Sequence, residues 1–449
     1  MNDLRKVLSR ILYGVFFGFA ITLFVSCVLL IINTLQGSGH YNNIEAVHID
    51  TESSSSLYRQ VEEMSLFSGE IEEADDPDYG YRTLMGYDER NVYRQLEQSV
   101  YNISDEPDSN GKFTTSRITL SGVHLDEKMI RHALGAFLFD NPQVFWLSNM
   151  FGYAHSGDDT IIECYSVCSA DDCSAMIDAF SSRIDELLSD LTPEMDVYDR
   201  EKRIHDRLLD FCTYRDDVKG FSDGWEYFSA YGAIVKGNAV CEGYAKAMQI
   251  LLNRAGIACC TVRGSADGIE HMWNLVHLDG KWYHLDPTWD DNSDSICYEY
   301  FNTDTVMITQ NHTIAEVMSS SEENKDENAE KSESRNYFLP ECTSRAMNYY
   351  TVEGYRFTGF SDVTDKAMTD FIVSRVQSGE TLIPISMTPG VGYEECIDKM
   401  FYSTPYRFYH YVDEANERLD SGHKIDRNKI KILKNERFGT LRVRLQVGT

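Results

Sequence analysis

Apolar positions recur three and four residues apart through much of the chain, which predicts a succession of amphipathic helices separated by short strands. Val92, Leu96 and Val100 start this pattern near Asn91. A helix follows from about Asp126 to Phe139, with Asp126 as its cap and Asn141-Pro142 as its stop. The segments VFWL and TIIECYSV read as strands. Met176, Ile177, Phe180, Ile184, Leu187 and Leu191 make one face of a helix from about Asp172 to Leu191, ended by Pro193. The segment YDREKRIHDRLLDFCTYRDD is a further amphipathic helix, burying Ile204, Leu208 and Phe211. His205 lies in it with no charged partner at obvious spacing and reads as structural. After the central region come YYTVEGYRF, a helix around Lys366 to Val376, the strand TLIPISM, a helix near Tyr406 to Leu419, and the pair KIKIL and TLRVRL. This is the pattern of a small α+β domain.

Two stretches break the pattern. Ile11 to Ile32 is an uncharged apolar run of 22 residues, about the 20 that cross a bilayer as a helix. Arg5, Lys6 and Arg10 precede it and Glu45, Asp50 and Glu52 follow it, so the positive-inside bias expects a cytoplasmic N-terminus and the bulk of the chain outside the cytoplasm. LQGSGH after Asn33 matches a cleavage site poorly, which favours an uncleaved signal anchor. The second break, Met318 to Asn336, is nearly free of large apolar residues and reads as a disordered linker. The expected division is a cytoplasmic tail (1–10), a transmembrane anchor (11–32), an acidic flexible tether (33–85), an N-terminal framing region (86–198), a central core (199–317), the linker (318–336) and the C-terminal domain (337–449).

Charge narrows the partners. With 41 basic against 72 acidic residues the net charge is −31, which opposes attraction to nucleic acid or anionic lipid surfaces. The eleven cysteines are irregularly spaced and do not read as a disulfide framework. Cys164, Cys168 and Cys173, with His155 nearby, lack the paired spacing of a zinc site. No metal ligand set and no cofactor is expected.

Candidate chemistry concentrates between Cys241 and Trp289. Ala245, Met248, Leu251, Leu252 and Ala255 give a helical face closed by Gly256, placing Cys241 at a helix N-terminus. The helix dipole there favours thiolate, the attacking form, whereas Glu242 opposes it. HMWNLVHL and KWYHLDPTW flank Asp279-Gly280, a two-residue hairpin signal. Pairing Leu278 with Lys281 and counting back sets Trp273 opposite Asp286. His271 and Asp286 then share a face as diagonal neighbours, about 7–8 Å apart at the backbone. The assignment is Cys241 as nucleophile, His271 as base and then acid, and Asp286 as orienting carboxylate. His277 and His284 occupy the same face and compete with His271, which is preferred because it lies at the open loop end. Trp273 and Trp289 are expected to wall the cleft, Tyr231 and Tyr244 to contact substrate, and the Cys241 backbone N–H to serve an oxyanion. Trp282 reads as hairpin core, and the vicinal Cys259-Cys260 pair as packing in a strand.

VCEGYA at Val240 to Ala245, HMWN at His271 to Asn274 and LDPTWDD at Leu285 to Asp291 resemble, in that order, the transglutaminase-like superfamily, in its bacterial membrane-associated branch. The resemblance extends more weakly over about Asp199 to His312. It implies a papain-like α+β core, and it carries a triad onto Cys241, His271 and Asp286. It includes acyl transferases, cysteine peptidases, deglycosylating enzymes and inactive binding proteins. Calcium dependence belongs to some animal members, and no matching ligand motif stands here. The expected function is a membrane-anchored, extracytoplasmic thiol enzyme that attacks peptide or side-chain amides through a thioester. Its substrates are expected to be proteins or peptides. The competing reading is a catalytically silent adhesion or scaffold protein.

Overall fold

Most helices begin where a side chain can satisfy the free N–H groups of their first turn. Asp126 accepts from Met129 N (2.9 Å) and opens helix α2 (Glu127–Asp140), which packs against α1 (Tyr87–Ser99). Ser169 accepts from Asp172 N and opens α3 (Ala170–Leu188). Asp196 accepts from Tyr198 N and opens α4 (Val197–Phe211). The computed structural model describes residues 57–61, 78–192, 194–292, 296–317 and 336–448. Residues Ile49–Tyr153 and Gly157–Thr449 group as one unit, within which all of the following contacts fall.

Helix α5 (Cys241–Arg254) is the centre of the fold. Gly243 to Ala245 and Ala247 to Leu252 are buried, and it lies across β1 (Cys259–Ala266) and β2 (Ile269–Leu278). Asn274 Nδ2 donates to Ala245 O (2.8 Å), tying strand to helix. β2 turns into β3 (Lys281–Leu285) through Asp279 and Gly280, both at positive φ, so the two-residue turn forms as its composition predicts. The register pairs Leu278 with Lys281 and Asn274 with Leu285. One further step sets Trp273 opposite Asp286. β4 (His312–Ile314) completes an antiparallel sheet of order β4-β1-β2-β3 by pairing with Gly264 to Ala266.

Four expectations change. Part of the predicted tether is folded: Leu57 and Val61 are buried in the main core, and Tyr79–Thr83 is a short helix held by Asp140, whose carboxylate accepts from Gly80 N and Tyr81 N. Their few apolar side chains reach the core despite the acidic surroundings. In VFWL only Leu147 is in a strand. The main core runs from Leu57 to Tyr350 without a break between the framing region and the central core, and it takes in Tyr337, Cys342, Tyr349 and Tyr350. The separate C-terminal core therefore starts at Phe357, twenty residues after the predicted boundary at 337. Asn336, at the end of the expected linker, is buried: it accepts from Arg263 N and donates to Arg263 O and Ala315 O. The rest of that linker lies outside the described residues.

The C-terminal domain orders its strands as Tyr355–Phe357, Leu382–Met387, Thr440–Arg444 and Lys431–Asn435. Helices Asp362–Gln377 and Arg407–Arg418 pack on each other beside it. Its Arg442 reaches the main core, donating to Ile296 O (2.8 Å) and pairing with Glu299 (3.1 Å). The apolar run Ile11 to Ile32 lies outside the described residues. Among the described residues no helix is long and apolar enough to cross a membrane.

Gly264 pairs with both His271 and Ile314, and a β-carbon there would collide with the Thr313 carbonyl and the Trp273 ring. Gly264→Ala is expected to cost on the order of 1–3 kcal/mol through overpacking, read as a lower urea midpoint at unchanged m. An unshifted midpoint would show that β4 yields without cost.

Candidate active site

Cys241 is the first residue of α5. The first backbone bond of that helix runs from Tyr244 N to Val240 O (3.1 Å), so the N–H groups of Cys241, Glu242 and Gly243 have no acceptor within the helix. Here the helix dipole favours negative charge. Glu242 opposes this less than its position suggests, because Lys246 (2.6 Å) and Arg263 (3.7 Å) pair with it. Cys241 is half-buried, whereas the other cysteines among the described residues are buried. Burial pushes the thiols of Cys259 and Cys260 far up, which matches packing residues.

His271 projects from β2 toward Cys241. Its Nε2 lies 2.7 Å from Asp286 Oδ2, and Cys241 is close enough to the imidazole to act on its charge. With Nε2 on the carboxylate, Nδ1 is the nitrogen left for the sulfur. Burial alone would lower the imidazole pKa. The charge and hydrogen bond of Asp286, together with Cys241, prevail and raise it to about 10.

Asp286 follows β3 and caps the short helix Pro287–Asp290. Its Oδ1 accepts from Thr288 N (3.0 Å) and Trp289 N (3.1 Å). Its Oδ2 accepts from His271 and also from His312 Nε2 (2.9 Å). The side chain has no solvent exposure. Burial would push its carboxyl up, yet the two histidines hold it well below the usual carboxylate range. His312 was not among the residues singled out from sequence. It comes from β4, a third strand outside the hairpin, so hairpin spacing carries no signal for it.

The competing histidines face elsewhere. His284 Nδ1 accepts from Trp273 Nε1 (3.1 Å), and its Nε2 faces Thr305 (3.3 Å). Burial, then the neighbouring His312, lowers its pKa to about 3, so it is neutral. His277 packs on Trp282 near the turn, 5.0 Å between ring centroids. His205 has charged partners after all, Asp206 (3.1 Å) and Asp290 (3.4 Å). Burial is outweighed by them and its pKa rises to about 9.

The expected cleft residues divide. Trp289 is half-buried and stands against His312 and Tyr300. Trp273 is fully buried and stacks on His271 at 5.9 Å, so it backs the imidazole and walls no open cleft. Tyr244 is fully buried, its hydroxyl engaged with Cys212 O (2.9 Å) and Asp291 (2.6 Å). Tyr231 is buried among Phe145, Phe180 and Trp225. Neither tyrosine presents its hydroxyl at the thiol, because both sit on the core side of their helical turns. Tyr214, passed over in the sequence, does stand near it. A two-residue parallel pairing with Asn238–Ala239 places it there, 42% exposed, and burial followed by the charges of Cys241 and Asp286 pushes its phenol up to about 12.

Among the described residues, two groups of side chains bring three potential metal-ligand atoms within 4.8 Å of one another: His271, Asp286 and His312, and Asp290, Cys297 and Glu299. In the first the atoms are already engaged with each other. In the second Glu299 is paired with Arg442 and accepts from Tyr350 Oη.

Residues 185–287 match the family model described as the transglutaminase-like superfamily. The human kyphoscoliosis peptidase is 28% identical over 121 residues, covering 24% of this chain and 18% of that protein. The mouse protein is 27% identical over 132 residues, covering 26% and 20%. The chain thus spans about a fifth of the length of these relatives. A solved structure described as "Crystal structure of a TGase" is similar at 17% identity with a TM-score of 0.26, covering 47% of this chain and 59% of that one.

The charged form of His271 stabilises the fold. Its folded pKa, about 10, exceeds the ordinary 6.5, so that contribution is complete below about pH 6.5 and is lost as the pH rises through about 10. The urea midpoint of the wild type is expected to fall between pH 7 and pH 10.5, and His271→Gln to flatten that fall. Parallel curves for the two proteins would remove the contribution.

Proposed function

We propose that this chain, whose residues 185–287 belong to the transglutaminase-like superfamily, is a thiol enzyme that attacks peptide or side-chain amides from Cys241. One observation carries the reading: a half-exposed cysteine at a helix N-terminus faces an imidazole whose far nitrogen is bonded to a buried carboxylate.

The steps follow from that geometry. Cys241 Sγ, its proton passed to Nδ1 of His271, attacks the amide carbonyl carbon, and the developing oxyanion is met by the free N–H groups of the first turn of α5. His271, charged at neutral pH, gives its Nδ1 proton to the departing amine as the C–N bond breaks. A thioester on Cys241 remains. Water or an amine then attacks it, His271 takes the proton of the attacking group and keeps it, and the sulfur leaves as the acid or new amide forms. Asp286 holds the imidazole throughout and compensates its charge. Of the two outcomes we favour hydrolysis, since water needs no dedicated site. Tyr214, exposed and within electrostatic range of Cys241 and Asp286, is a candidate contact for the acyl group.

We further propose that residues 11–32 anchor the chain, with the active site outside the cytoplasm and extracytoplasmic proteins or peptides as substrates. The length of the apolar run and the flanking charges support this. Deletion of residues 1–32 is expected to move the protein from the membrane fraction to the soluble fraction. Retention in the membrane would remove the anchor.

Incubation of the purified protein with a mixture of extracellular peptides, acid quench and mass spectrometry should find an acyl adduct on Cys241. Cys241→Ala should lower amide turnover at least about a thousandfold. Turnover that survives the substitution would sink the proposal.

A further inference from the structure

We infer that His312 is a positioning residue of this site: it shares Asp286 Oδ2 with His271 and holds the carboxylate in the orientation His271 requires. The inference rests on the reading of Cys241, His271 and Asp286 as a working thiol site.

Asp286 is fully buried, and a buried carboxylate needs donors for both oxygens. Oδ1 has two, from the helix it caps. If His312 were absent, Oδ2 would have His271 alone, and the same bond would have to orient the imidazole and satisfy the oxygen. His312 supplies the second donor from the other side, at 2.9 Å. It is itself held on every side. Its Nδ1 lies 2.8 Å from Asn311 Oδ1, and Asn311 Nδ2 donates to Tyr300 Oη (3.0 Å). Trp273, Trp289 and Tyr300 surround the ring at centroid distances of 5.0, 5.4 and 5.5 Å, and its side chain has no exposure. A residue that only filled this space could be any ring. Only a donor aimed at Oδ2 keeps the carboxylate from turning toward its own helix and away from His271.

The consequence is read at Cys241. A carboxylate held in place keeps His271 charged beside the sulfur, and a charged imidazole keeps the thiol reactive in mild acid. The other groups facing this network are Asp290 and Tyr214 toward Asp286, His284 beside His312, and Arg437 beside Tyr300. All of them remain in the variants below.

The test is the rate of Cys241 alkylation by iodoacetamide in the full chain, mapped by mass spectrometry from pH 5 to pH 9. The wild type should label well below pH 7. His312→Phe, which fills the space without a donor, should label at least about tenfold more slowly at pH 6 and within about twofold of wild type at pH 9. His312→Gln, which restores an N–H, should recover most of the low-pH rate. A wild-type profile in a folded His312→Phe variant would overturn the role of His312 and leave the triad standing. If wild-type Cys241 labels only above pH 8, the triad reading falls and this inference with it. If His312→Phe does not fold, Asn311→Ala, which frees the far nitrogen of His312, should shift the profile in the same direction by a smaller amount, and an unmoved profile overturns the inference.

Discussion

A carboxylate with no access to water, Asp286, is the constraint around which the central sheet is built. Ionised in a dry interior it would cost several kcal/mol unless its oxygens were fully engaged. Four donors engage it, and they come from separate pieces of chain: two backbone N–H groups of the helix it caps, His271 from β2 and His312 from β4. Those pieces must be in register at once. A slip of one residue in β2 would turn His271 to the opposite face, and a shift of β4 would remove His312.

The surroundings extend the same logic outward. Trp273 stacks behind His271 and spends its N–H on His284, which stays neutral and supplies the acceptor. Asp290 Oδ1 accepts from Tyr300 N, and Asp286 N donates to Tyr300 O, so the loop after Asp286 folds back on it. That loop is braced in turn by Arg442 of the C-terminal domain through Ile296 O and Glu299. The companion domain, in which no catalytic motif stands out, thereby supports the segment that carries the aspartate.

Much of the local architecture was legible in the chain. Asp126 and the apolar spacing after it mark α2 to within a residue, and Asp279-Gly280 sets the hairpin register that brings His271 and Asp286 to one face. These features depend on neighbours in sequence, where capping and turn chemistry act. The buried roles of Tyr231 and Tyr244 were not legible, because an aromatic near a cysteine reads alike whether it faces solvent or core. The folding of Leu57, Val61 and Tyr79 was hidden for a similar reason: a few apolar side chains in an acidic stretch join a core only if distant elements leave room for them.

The sequence by itself therefore determined the helix that starts at Cys241, the hairpin that follows, and the pairing that puts an imidazole diagonal to a carboxylate, since each is set within a few residues. Only the tertiary structure decided which histidines meet Asp286. His284, next but one to it in sequence, points to Trp273 and Thr305, and His312, twenty-six residues on, completes the carboxylate. The indole N–H of Trp273, which takes the His284 ring on that shared face, and the arrival of a third strand made that choice, and the third strand is placed by its pairing with β1.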